Sequence, residues 1–339
     1  MWLNIVWYIL FVVIIAGYIV LDGFDLGVGI LHLFIAKNDE ERRITLNSIG
    51  PIWDGNEVWL ILGGGALFAA FPLVYASLFS GFYGAMMLVL LFLILRAVAI
   101  EFRSKRPGLG WRKMWDFIFF LASLCIALLL GVAFGNVLMG VPIDAQGNIQ
   151  AFIPNLLTPF ALLIGLTTIS MLAYHGAIFL AMKTDGELLA RVKRSITPLM
   201  VTFFILNTIV IGVILLTHQE ISNQYLAQLW LVILPAAALA AVIFAGWMVR
   251  RERYFIAFVA SALMIILLIL SSAAGLYPNL LISTINPDFN QTIFNAASEA
   301  NTLVVMLVIA AVGMPFVILY TAGVYYIFRG KVKLGPSSY

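Results

Sequence analysis

An all-α, polytopic membrane fold is predicted by three observations. Only 10% of the 339 residues are charged and 63% are hydrophobic, whereas a soluble domain carries about 25% charged residues. The apolar residues gather into nine windows, each near the ~20 residues that cross a bilayer. The cations alternate between the connections that join those windows. The expected architecture is nine transmembrane helices, as two four-helix bundles plus one helix. The N-terminus is expected outside and the C-terminus in the cytoplasm, in a single integral membrane domain, 1–339. The formal net charge of +3 carries little information beside this distribution.

The windows fall at about 5–36, 52–75, 77–101, 115–139, 158–182, 197–217, 226–249, 255–276 and 302–328. The first is longer than one crossing needs, which implies a tilt, or a kink near Gly23–Gly29. No Lys or Arg precedes Lys37, and no small-residue cleavage site ends this run. It therefore reads as a retained first helix and not as a signal peptide. Pro72, Pro235 and Pro315 point to kinks, tolerated where neighbouring helices satisfy the freed carbonyls. The longest connections, 140–157 and 277–301, are polar but not basic. No appended soluble domain is visible.

Lys37, Arg42 and Arg43 follow the first window, and Arg103, Lys105, Arg106, Arg112 and Lys113 follow the third. Lys183, Arg191, Lys193 and Arg194 follow the fifth, Arg250, Arg251 and Arg253 the seventh, and Arg329, Lys331 and Lys333 the ninth. The connections after the second, fourth, sixth and eighth windows hold no Lys or Arg. Cations mark the cytoplasmic side, which orients all nine spans. Nothing in this pattern points to nucleic acid. The single cysteine, Cys125, excludes an internal disulfide and a cysteine-based metal cluster.

Two acidic pairs stand out. Asp22 and Asp25 lie within the first apolar run, three residues apart and so on one helix face. An ionisable group at membrane depth costs roughly 2.5–3.5 kcal/mol, so that face turns toward protein. Gly23 and Gly27 share the small-xxx-small spacing that lets a second helix approach. Asp54 and Glu57 open the second window after Pro51, again on one face. They read either as an acidic first turn complementing the helix dipole, with Trp53 and Trp59 as an interfacial belt, or as neighbours of Asp22 and Asp25. Four carboxylates near one another in low dielectric cannot all stay ionised, so some would hold or pass protons.

Arg96 is the one cation inside a window. It is either a counter-charge to these acids or a residue snorkelling to the inner surface. Glu101 and Lys105 form an i,i+4 pair that could collect protons at a channel mouth. His32 and His175 could share a depth for axial haem ligation and His218 could not, but a lone membrane histidine is more often a packing residue. No metal site is expected. Gly63–Gly65 and the Gly131/Gly135 pair read as tight helix packing, with Asn136 as interhelical glue. The residues by themselves leave open a proton path in a redox complex, a proton-coupled secondary transporter and a purely structural scaffold.

Longer ordered blocks narrow the choice. Leu21-Asp22-Gly23-Phe24-Asp25-Leu26-Gly27-Val28-Gly29, Glu41-Arg42-Arg43 and the run from Asn47 through Trp53-Asp54-Gly55-Asn56-Glu57 to Leu60 resemble subunit II of cytochrome bd-type quinol oxidases. The likeness continues at Gly64–Ala70, Phe79–Tyr83, Arg96, Phe102–Lys105 and Gly131–Asn136. The first ~140 residues carry the specific motifs, and the remainder matches in pattern. The resemblance implies a heterodimeric terminal oxidase in a prokaryotic plasma membrane. Subunit I would hold haem b and haem d type cofactors and oxidise quinol on the outer side. Dioxygen would be reduced to water with protons taken from the cytoplasm. Subunit II would ligate no haem and supply no self-contained catalytic site. Asp54, Glu101 and Lys105 match, by resemblance, a proton path shared by the two subunits, although some relatives carry a shorter acid at the Glu101 position. Asp22, Asp25 and Glu57 would assist, with Arg96 as counter-charge. A bound quinone and a small accessory membrane subunit stay open.

Overall fold

The computed structural model describes residues 1–150 and 153–335. Residues 151–152 of the predicted 140–157 connection and residues 336–339 lie outside the described residues. The chain forms thirteen α-helices, three short 3-10 helices and a small hairpin among the described residues. The α-helices are α1 (Trp2–Ile35), α2 (Asp39–Ile49), α3 (Trp53–Ala70), α4 (Pro72–Gly81), α5 (Tyr83–Phe102), α6 (Leu109–Met139) and α7 (Ile153–Leu156). There follow α8 (Pro159–Lys183), α9 (Gly186–Thr217), α10 (Gln219–Ala227), α11 (Ile233–Arg250), α12 (Tyr254–Leu276), β1 (Asn279–Leu281), β2 (Gln291–Thr292) and α13 (Ala300–Ile327).

Eight of these helices are long and apolar enough to cross a membrane: α1, α5, α6, α8, α9, α11, α12 and α13. The predicted second window is divided. α3 stops at Ala70 because Phe71, held ahead of Pro72, leaves helical geometry with ψ at 64°. A residue before proline is pushed out of the helical region, and proline itself suits a first helical position, where α4 begins. The third window accordingly starts at Tyr83 and not at 77. α3 has 18 residues, about 27 Å of rise, and its acidic first turn makes it less apolar than the other eight. The remaining prolines behave differently: Pro235 sits in the first turn of α11, and Pro315 stays inside α13.

Two helices form the centre. Every residue of α1 from Asp22 to His32 is buried, and so is every residue of α8 from Ser170 to Ala181. A helix covered all round lies inside a bundle. α1 packs on α3, α6, α8 and α12, while α8 packs on α1, α6, α9 and α12. The two cross at Gly27 and Gly176, where a Cβ on Gly27 would fall 2.0 Å from the Leu172 carbonyl oxygen. Gly131 and Gly165 make the corresponding approach between α6 and α8. α1 is a single helix through Gly23–Gly29, without a break.

The glycine triplet departs from expectation. Gly63 faces Ile15 of α1, but a Cβ on Gly64 or Gly65 would meet nothing within 4 Å. These two glycines belong to an outward stripe of α3 with Asp54, Val58, Ile61 and Phe68, all exposed except the half-buried Gly64. α13 is also thinly covered, with Leu303 its one fully buried residue. At the end away from the cations, the two long connections are knitted together. β1 pairs antiparallel with β2, Val141 bridges to Ser283, and Gln291 Nε2 donates to Ser77 Oγ at 2.7 Å.

Candidate functional site: a buried charge network

Arg96 comes from the last turns of α5 and is 1% exposed. Its Nη2 donates to Asp22 Oδ1 of α1 at 2.7 Å and to Glu57 Oε2 of α3 at 2.8 Å. One turn further along α1, Asp25 Oδ2 accepts from Asn56 Nδ2 at 2.7 Å. Asn56 Oδ1 accepts in turn from the Tyr325 hydroxyl of α13 at 2.8 Å. The sequence of α1 explains the placement: a spacing of three stacks both carboxylates on the side facing α3. Tyr18, one turn earlier, lies beside Asp22. Asp25 stands within electrostatic reach of Asp22, Arg96 and Glu57.

The group is strongly polar and incompletely paired within the chain. Asp22 Oδ2, Asp25 Oδ1 and Arg96 Nε and Nη1 are buried without a partner among the described residues. Capacity of this kind in an interior is ordinarily met by water or by proton redistribution. Three carboxyls and one guanidinium cannot all be ionised there without leaving uncompensated negative charge.

The other predicted residues are placed differently. Asp54 is exposed, on the outward stripe of α3, though within electrostatic reach of Glu57. Glu101 is half-buried in the last turn of α5, and Lys105 is exposed. The α-helix ends at Phe102 and passes into a 3-10 turn over Arg103–Lys105. Glu101 thus lies at the end of the α-helix and Lys105 on the 3-10 turn that follows it.

A second network lies nearer the cationic end, and the sequence reading missed its keystone. Asp116, in the first turns of α6, accepts from His32 Nε2 at 2.8 Å, Arg103 Nε at 2.6 Å and Arg42 Nη1 at 2.7 Å. Arg103 Nη2 and Arg112 Nη1 both donate to Asp39, each at 2.8 Å. Arg191 of α9 joins Glu41 of α2 and donates to the Ile35 carbonyl at 3.0 Å. Burial pushes the Glu41 carboxyl up, but the Lys37 amide and Arg191 outweigh it and hold it below the ordinary glutamate range. These bonds tie together the ends of α1, α2, α5, α6 and α9. The signal that was available is Asp116 itself, the one acid in the fourth window.

His32 and His175 are both committed to internal hydrogen bonds. His32 spends Nδ1 on Thr45 at 2.8 Å and Nε2 on Asp116. His175 spends Nδ1 on Ser261 at 2.7 Å and Nε2 on the Val20 carbonyl at 3.0 Å. Its ring also stacks on Phe258 with centroids 4.9 Å apart. Neither imidazole offers a nitrogen to an iron without breaking an internal bond. Among the described residues, no group of three or more His, Cys, Asp and Glu side chains could hold a metal ion. A chiefly apolar cavity of about 390 Å³ lies deeper in the bundle, between α1, α6, α8, α9 and α12.

The chain is similar to proteins of one family over nearly its whole length. The family model described as cytochrome bd terminal oxidase subunit II matches residues 3–328. Cytochrome bd-I ubiquinol oxidase subunit 2 of Escherichia coli K12 is 37% identical over 360 residues, covering 97% of this chain and 95% of that protein. Cytochrome bd ubiquinol oxidase subunit 2 of Bacillus subtilis is 35% identical over 333 residues, covering 98% and 97%. A chain in the structure of bd oxidase from Geobacillus thermodenitrificans has the same fold. It superposes with a TM-score of 0.79 at 17% identity, over 97% of this chain and 99% of that one.

Proposed function

The chain belongs to the cytochrome bd terminal oxidase subunit II family, and on that premise we propose that it works as the second subunit of a membrane-bound quinol oxidase. It is a multi-pass protein of the bacterial plasma membrane and part of an oxidoreductase complex. The observation that carries the reading is the extent of the match, from residue 3 to residue 328. The family membership stands against the transporter alternative. In the complex, haems of the b and d types, held in subunit I, supply the redox chemistry that takes electrons from quinol to dioxygen.

This chain contributes support and proton handling. In this reading it crosses the membrane nine times, with α3 as the second crossing and the N-terminus outside. The helices α1, α3, α5 and α6 form one four-helix group, α8, α9, α11 and α12 the other, and α13 stands alone. Subunit I covers the exposed stripe of α3 and the bare flank of α13. Lys105 and Glu101 gather protons at the cationic end, and Asp54 passes them on where α3 meets the partner. Glu57, Asp22 and Asp25 sit behind Asp54 as a proton store, and Arg96 sets their charge. Proton transfer needs groups that change ionisation near working pH, and a cluster of carboxyls around one cation provides them. The direct bonds of Asp22 to Arg96 and of Asp25 to Asn56 also favour a structural share for these two, in fixing α1 against α3. A quinone bound to this chain would find apolar walls in the 390 Å³ cavity.

The test uses the assembled complex. Asp54→Asn is expected to slow proton-coupled oxygen reduction by about a hundredfold, the scale of losing one positioned proton carrier, with haem content unchanged. A wild-type rate removes Asp54 from any obligatory path. Loss of haem with loss of rate assigns it to assembly instead. The visible spectrum of the isolated chain, beside that of the co-purified pair, checks the haem assignment: haem bands are expected only with the partner.

A further inference from the structure

A second feature shares only Tyr325 with the acid network. Where α12 begins and α13 ends, the cationic end of the bundle opens into a pocket of about 1100 Å³. Its inner wall is aromatic, with Phe179, Tyr254, Phe258 and Tyr325. Five cations and a single carboxylate line it. Two of the cations are already committed. Lys183 Nζ donates to the Phe328 carbonyl at 2.6 Å, and Lys331 Nζ donates to the Thr184 carbonyl at 2.6 Å with Asp185 at 3.5 Å. The carboxylate, Glu252, is bonded to Lys193 at 2.8 Å. The Val332 amide donates to the Lys183 carbonyl at 2.9 Å, so the tail after α13 is fastened across the end of α8.

Three cations remain at the mouth. Arg253 and Lys333 are exposed, and no acid pairs with them among the described residues. Arg329 lies over the Tyr326 ring at 3.7 Å, a contact that uses the face of the guanidinium and leaves its N–H edge free. The sides of the mouth are apolar: Phe255 is 71% exposed and Ile327 is 72% exposed. A free inorganic anion has no use for such walls. A molecule with a negative head and a hydrocarbon tail uses both.

We propose that this pocket binds an anionic phospholipid of the cationic-side leaflet. Its phosphate lies among Arg253, Arg329 and Lys333, and an acyl chain runs along Phe255 and Ile327. Basic pockets between transmembrane helices are the usual seats of acidic head groups. The lipid bridges α12 and α13, and it steadies a helix that the rest of the chain covers thinly. The recognising chemistry is that of a phosphate ester. Free phosphate shares it, so the experiment separates the two.

The complex is reconstituted in nanodiscs of phosphatidylethanolamine, with or without phosphatidylglycerol, and retained lipid is counted by native mass spectrometry. Wild-type complex is expected to retain phosphatidylglycerol in preference to phosphatidylethanolamine. The double variant Arg253→Gln, Lys333→Gln is expected to bind it about thirtyfold more weakly, the effect of two surface cations. A Lys113→Gln control, outside the pocket, is expected to keep it. Equal retention by the double variant overturns the proposal, and so does retention without head-group preference. A second measurement needs no variant. Hydrogen exchange of the segments 252–256 and 325–333 in wild-type complex is expected to slow only in phosphatidylglycerol discs. Unchanged exchange overturns the proposal, and equal slowing by inorganic phosphate in detergent overturns the lipid assignment.

Discussion

Arg96 holds two carboxylates through one nitrogen, Nη2. Its removal would leave Asp22 and Glu57 close together and unneutralised, and breaking a buried pair in this way costs roughly 3–5 kcal/mol. Arg96→Met is therefore expected to lower the yield and melting temperature of the complex sharply. Adding Asp22→Asn and Glu57→Gln is expected to restore most of both, because the charges then leave together. A triple variant as unstable as the single one would mean that Arg96 does more than neutralise. These charges were legible in the sequence because each interrupts an apolar run, where an ionised group is costly. Asn56 and Tyr325 were not legible: both are uncharged, and they lie 269 residues apart. Asp116 was overlooked for a different reason. In the predicted 115–139 window it opens the helix, where an acid ordinarily does no more than complement the helix dipole, whereas α6 begins at Leu109 and the fold brings His32, Arg42 and Arg103 onto it.

At the scale of elements, glycine spacing read correctly for some helices and misled for one. The pair Gly27 and Gly176 brings α1 and α8 into backbone contact, with a Cβ on Gly176 falling 2.6 Å from the Gly27 carbonyl carbon. Backbone cannot yield as a side chain can, so Gly176→Ala is expected to destabilise the complex by about 1–3 kcal/mol, the usual range for overpacking. Gly64→Ala, with nothing within 4 Å, is expected to leave the fold of this chain unchanged. Thermal unfolding of both variants checks the contrast, and similar losses would contradict the packing described. The triplet misled because spacing alone does not say which side of a helix faces its neighbours. The boundary between the second and third windows slipped likewise. Both sides of Phe71–Pro72 are apolar, and only the proline marks the break.

For the whole molecule, the alternation of cations along the chain was the most informative signal. It predicts the side of the membrane on which each helix end lies without any knowledge of packing. The physical content is testable with reporters that work on one side of a membrane only. A phosphatase inserted in the 140–150 segment is expected to be active. One fused after residue 335 is expected to be inactive, and a cytoplasmic reporter should give the opposite pattern. The same activity at both positions would contradict nine crossings. The centrality of α8 could not have been read in this way. Its span has the lowest mean hydropathy of the eight membrane-length helices, 1.6 against 2.4–2.8 for the others, and its place inside arises from small residues on two faces, Gly176 toward α1 and Gly165 toward α6.

The bond from Arg96 to Asp22 has a consequence for how the chain is made. The two residues are 74 positions apart, so at ribosomal speeds the counter-ion emerges about 4–15 s after the acid. Tyr325, which caps the Asp25 end of the network, follows Asn56 by 269 positions, in α13. Asn56, the partner of Asp25, follows it by 31 positions, so Asp22 is the carboxyl that waits longest for its partner. α1 is thus translated well before the residues of α5 and α13 that complete its hydrogen-bond network.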